Sequence, residues 1–144
     1  MDKRVRWSKN MEVGYAPLDK AHRDFIKIIN EAYVYTASKE MTSMDNVFEK
    51  CYDYARNHFP EEENIMKTVG FPDMASHEKS HHAFIRNISE IRVNFHKAPT
   101  VREKEKLSSQ AADFLKAWFL GHTLSRDKIY KPYLVRLDNK NVKK

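Results

Sequence analysis

Residues 48–69 read FEKCYDYARNHFPEEENIMKTV, in which Phe48, Cys51, Ala55, His58, Glu62, Ile65 and Val69 follow one another at alternating steps of three and four. That period is the stripe of an α-helix with one face turned to a core. Two members of the stripe are costly in such a place: His58 and Glu62, one turn apart, stand where the period calls for apolar side chains. The segment Gly70-Phe71-Pro72-Asp73 then stops the helix and offers Asp73 as a cap for the next one.

The same pattern extends in both directions. Downstream, His77, His81, Phe84, Ile88, Ile91 and Phe95 form the inward face of a third helix, with two more histidines on it. After a polar connection around Pro99, a fourth helix carries Leu107, Ala111, Phe114, Trp118 and His122 on one face, with Asp127 near its end, and Lys131-Pro132 closes the regular structure. Upstream, a first helix begins near Asp19, its stripe running through Leu18, His22, Phe25, Ile26, Ile29 and Tyr33. It ends in the polar stretch from Ser38 to Ser43, where Ser43 or Asp45 is placed to cap the second helix. The first eighteen residues, with Trp7, Gly14, Tyr15 and Pro17, lack a helical period and read as an extended arm.

Four amphipathic helices joined by short polar connections predict an all-α, up-down-up-down four-helix bundle. The expected divisions are an arm over 1–18, the bundle over 19–132 and a basic tail over 133–144. A chain of 144 residues, 32% charged and 41% hydrophobic, is the size of one domain with one core. Three glycines and five prolines favour long helices over many short strands. Neither a signal segment nor a long apolar run is present, so the expected location is the cytoplasm, away from membranes. The formal net charge of +6 is scattered over polar faces and the segment Arg136–Lys144, without a nucleic-acid-binding motif, so no nucleic-acid partner is expected.

His22, His58, Glu62, His77, His81 and His122, with Asp127, therefore fall on or beside stripes otherwise made of Leu, Ile, Phe, Val and Trp. A single histidine in such a place is usually a core residue with a hydrogen bond. Five on four helices call for a common partner, and metal dications at the bundle centre supply one. His58/Glu62 and His77/His81 are four apart, about 40° around the helix and one turn along it, so each pair shares a face. His122 and Asp127 are five apart and would straddle the site or need a π-type bulge or a loosened last turn. Pro60, between His58 and Glu62, removes one helix hydrogen bond and predicts a kink.

Five imidazoles and two carboxylates are too many for one ion and suit two five- or six-coordinate ions with bridging carboxylates. The lone Cys51 supplies no thiolate cluster, which leaves nitrogen and oxygen donors and favours iron or manganese over zinc. His82, one position round from the stripe, and His96, at a helix end, are not assigned as ligands.

The segments LDKAH ending at His22, HFPEEENIM from His58, HEKSHHAF from His77 and WFLGHTLSRDKIY from Trp118 resemble the hemerythrin family in its bacterial single-domain form, over about Trp7 to Pro132. The resemblance implies two iron ions, one held by His77, His81 and His122 and the other by His22 and His58. Glu62, Asp127 and an oxo or hydroxo group would bridge them. It further implies reversible binding of molecular oxygen at the two-histidine iron, for storage, delivery or sensing, rather than an enzyme turning over oxygen, peroxide or nitric oxide. A protein recipient of the oxygen belongs to the same expectation. Phe25, Trp118 and Phe119 are the expected oxygen pocket. Thr123 stands where family members commonly carry isoleucine, which places a hydroxyl near the site.

Overall fold

The computed structural model describes residues 3–124 and 129–134. Four helices account for most of them: α1 Ala16–Ser38, α2 Met44–Val69, α3 Met74–Lys97 and α4 Val101–Trp118, the last running on into a π-helical turn over Phe119–Leu124. Each helix packs on its neighbour in the chain, and α1 closes the ring against α4. This is the expected four-helix bundle. Among the described residues no helix is long and apolar enough to cross a membrane.

On α3 the buried residues are His77, His81, Phe84, Ile88, Ile91 and Phe95, the stripe expected from the sequence. α2 buries Phe48, Cys51, Ala55, His58 and Glu62, adds Phe59 and Met66, and runs unbroken through Pro60. Helical pairing continues on both sides of Pro60, and His58 and Glu62 are both buried. α1 begins at Ala16, three residues before the expected start at Asp19, because Pro17 with its fixed φ suits the first turn, where no amide partner is needed. The Asp19 carboxylate instead accepts the backbone N–H groups of Val13 (2.8 Å) and Gly14 (3.2 Å), which ties down the arm. Further out, Val5 exchanges two hydrogen bonds with the Asn30 side chain (2.8 and 2.9 Å).

Helix caps depart from expectation as well. Neither Ser43 nor Asp73 caps through its side chain. Thr100 does so for α4, its hydroxyl accepting from the Glu103 amide at 3.2 Å. The stripe of α4 is centred on Ser108, Ala111, Ala112 and Leu115, with Leu107, Phe114 and Trp118 flanking it half-buried. Regular structure does not close at Lys131-Pro132: residues 129–134 are helical. Tyr130 and Leu134, four apart and fully buried, pack with Val13, Leu18, Met66 and Phe71 and hold this segment in place. Residues 135–144, including the basic tail Arg136–Lys144, lie outside the described residues, as does Asp127.

Among the described residues the core has two apolar clusters. The larger is built around Phe25, Phe48, Phe59, Phe84, Ile88, Leu115 and Phe119. The smaller gathers Val13, Leu18, Met66, Phe71, Tyr130 and Leu134. The buried histidines form a polar layer between them: His22, His58, His81 and His122 touch rings of the first cluster, and His77 touches Phe71 and Tyr130 of the second.

Candidate metal centre

Helical spacing delivers the centre directly. α1 contributes His22, α2 His58 and Glu62, α3 His77 and His81, and the π-helical turn His122. All six are buried, with relative exposures of 1–2% for His22, Glu62, His77 and His81 and 6% for His58 and His122. The wider turn after Trp118 lets α4 pack Leu115 and Phe119 inward and still bring His122 inside, a loosening of the kind expected near this residue.

Glu62 is the hub. Its Oε2 faces His58 Nε2 at 3.1 Å and His22 Nε2 at 3.8 Å. Its Oε1 faces His81 Nε2 at 3.2 Å, His122 Nε2 at 3.7 Å and His77 Nε2 at 3.8 Å. Two histidines thus address one carboxylate oxygen and three address the other. His22, His58 and Glu62 form one compact ligand triad and Glu62, His77 and His122 a second, the donor atoms of each within 4.8 Å of one another. Glu62 links the two.

The donor set fits cations. Oε1 of Glu62 is fully buried and accepts no hydrogen bond among the described residues, although three imidazoles surround it. Separations of 3.1–3.8 Å are those that nitrogen and oxygen keep when both bond one ion at about 2.0–2.2 Å. Burial pushes the Glu62 carboxyl up, but the attraction of the surrounding His122, His22, His58 and His81 imidazoles outweighs it and holds the group well below the usual carboxylate range. The hub is therefore an anion, ready to compensate positive charge.

Surrounding groups fix the rings. Ser80 Oγ lies 2.9 Å from His122 Nδ1, leaving Nε2 directed at Glu62. Phe59 stacks on His81 with centroids 3.9 Å apart and planes 4° from parallel, and Trp118 stacks on His122 at 4.4 Å and 11°. Phe59 and Ser80 were not singled out from the sequence. Their only signal is position, since each neighbours a ligand candidate, Phe59 directly following His58 and Ser80 directly preceding His81. The expected pocket residues are brought together: Phe25 and Phe119 are fully buried, their rings 5.7 Å apart and 20° from parallel, and Phe119 meets His22 edge-on at 6.4 Å. Trp118 lies 5.5 Å from Phe25. Thr123 is buried too.

His82 is exposed, unlike its neighbour His81. Replacing His81 by alanine is expected to weaken metal binding by at least about 10–100-fold, the range seen when even outer groups of a metal site are lost. His82→Ala is expected to leave it unchanged. Competition with a chelator measures both, and the opposite order would mean that α3 is turned by one residue.

A four-helix bundle that aims five imidazoles and a carboxylate at one interior point defines a class, the histidine-rich cation-binding bundle. The model of the hemerythrin HHE cation binding domain matches residues 13–134, and the chain belongs to the hemerythrin family. It is 27% identical over 124 residues to a bacteriohemerythrin of Stenotrophomonas maltophilia (strain R551-3), covering 86% of this chain and 77% of the relative. A bacteriohemerythrin of Clostridium acetobutylicum is 26% identical over 129 residues, covering 86% of this chain and 96% of the relative. A myohemerythrin of Theromyzon tessulatum is 29% identical over 126 residues, covering 88% and 90%.

Proposed function

We propose that this chain holds two iron ions and binds molecular oxygen reversibly between its helices. The observation that carries the reading is the division of five imidazoles, two and three, over the two oxygens of one buried glutamate. His22 and His58 would hold one ion, and His77, His81 and His122 the other. Glu62 would be shared by the two ions, and Asp127 would supply the second carboxylate. Iron supplies the electrons and the coordination site that oxygen needs.

The protein's own residues supply the rest. Neutral imidazoles donate less electron density than carboxylates, which suits capture and release over irreversible activation. Phe25 and Phe119 line the His22 side with apolar surface and exclude water that would carry protons to the bound gas. Ser80, Phe59 and Trp118 hold ligand rings in place, so little reorganisation accompanies binding.

Exposing the anaerobically reduced, iron-loaded protein to oxygen and then removing the gas tests the reading. Recovery of the starting visible spectrum through several cycles is expected. One-way oxidation, or continuing consumption of oxygen, would replace the carrier by an enzyme.

A further inference from the structure

A groove of about 550 Å³ runs along the outside of the bundle between α1 and α2, and His58 lines it. The same imidazole faces Glu62 Oε2 at 3.1 Å with its Nε2. One ring thickness therefore separates open space from the two-histidine side of the centre. The groove is lined by apolar surface from Pro17, Ala21 and Ile28, with Tyr54 beside His58. Its charged rim is largely self-paired: Lys20 meets Asp24 at 3.0 Å and Lys50 meets Glu31 at 2.7 Å. Such a rim offers no concentrated charge to draw in an ion, and an apolar lining suits a small uncharged molecule.

Tyr54 stands between this groove and the aromatic core. It lies one turn before His58, with ring centroids 4.6 Å apart, and it also packs on Phe25 at 4.8 Å and on Phe59 at 5.7 Å. It is half-buried, so its ring borders the groove as well as the core. Phe25 in turn packs on Phe84, Trp118 and Phe119, at 5.5–5.7 Å. Phe84 and Phe119 are fully buried, so moving either disturbs the packed core, whereas Tyr54 has one side on the groove.

We propose that small uncharged diatomic ligands reach the centre through the α1/α2 groove, and that Tyr54 meters their passage past His58. This rests on the oxygen-binding reading above and adds the route and the residue that sets its rate. The bulk of the ring is what matters, so phenylalanine substitutes for tyrosine here and alanine does not.

Stopped-flow mixing of nitric oxide with the reduced, iron-loaded chain supplies the kinetic test. Tyr54→Ala is expected to raise the association rate about tenfold, a barrier change of about 1.4 kcal/mol. Tyr54→Phe should stay within about twofold of the unmodified protein by the same relation, and Ala21→Trp, which fills the groove, should slow entry. Unchanged rates in both Tyr54→Ala and Ala21→Trp, or a phenylalanine variant as fast as the alanine one, would overturn the proposal. A second readout needs no iron: in the full-length, zinc-loaded chain, dissolved oxygen should relax the methyl protons of Ala21 and Ile28 more strongly than those of Ile88 and Ala111. Equal relaxation would remove the route even if iron binds. Failure of the unmodified chain to take up iron would overturn the oxygen-binding reading and leave this second result standing for the groove.

Discussion

Glu62→Ala is expected to strip the centre of both metal ions. The residue is 1% exposed, and its two oxygens lie within 3.8 Å of all five histidines, so one substitution removes a ligand from each triad. It also removes the negative charge from the hub, and positive ions would then be left among neutral imidazoles in a poorly solvated layer. Breaking a buried charge pair by deleting one partner costs about 3–5 kcal/mol, which corresponds to a loss of affinity of two to three orders of magnitude or more. Metal content after dialysis against a chelator should fall toward zero. Glu62→Gln separates charge from shape, because the amide fills the same volume without the charge, and it should fail nearly as badly. A glutamine variant that retained two ions at unchanged affinity would show that Glu62 bridges nothing. Glu62→Asp keeps the charge and shortens the reach, so partial loading is expected.

This centre was readable from the sequence because its ligands obey the same period as the core. On α3, His77 and His81 sit in phase with Phe84, Ile88, Ile91 and Phe95, and all six are buried. α4 was less legible for a physical reason. The stripe read there holds Ala111 correctly but otherwise favours the large Leu107, Phe114 and Trp118, yet the buried centre is small: Ser108, Ala111 and Ala112 let α1 approach closely, and the Ser108 hydroxyl meets that of Thr36. The large residues then cover the flanks. Helix ends were read from side-chain type, and Ser43 and Asp73 are suitable caps that do not cap. Asp19, one turn before His22 and buried, shows the limit of counting carboxylates, because the arm amides of Val13 and Gly14 take its oxygens. Ring stacking of Phe59 and Trp118 on the histidines depends on rotamers, which spacing does not specify.

Phe25→Ala should produce the largest loss of stability in the bundle while removing no ligand. Phe25 is fully buried and packs simultaneously on Tyr54, Phe84, Trp118 and Phe119, so four rings lose a neighbour together. Truncating a phenylalanine in such a place costs about 3–5 kcal/mol, the lost transfer energy plus a cavity that rigid aromatic neighbours cannot close. Chemical denaturation should show that loss as a lower midpoint with little change in slope, whereas a loss below about 1 kcal/mol would mean that the rings repack freely. Phe25→Leu, which fills most of the space, should cost far less. The cavity would open beside Phe119, which borders His22, and beside Tyr54, which borders His58. The variant should therefore still load metal under native conditions, yet hold oxygen for a shorter time before irreversible oxidation, because water gains access to the layer that Phe25 keeps dry. Metal content and oxygenated lifetime, measured on the same sample, separate these effects: loss of both would indicate collapse of the site, and loss of lifetime alone would assign Phe25 to the apolar wall.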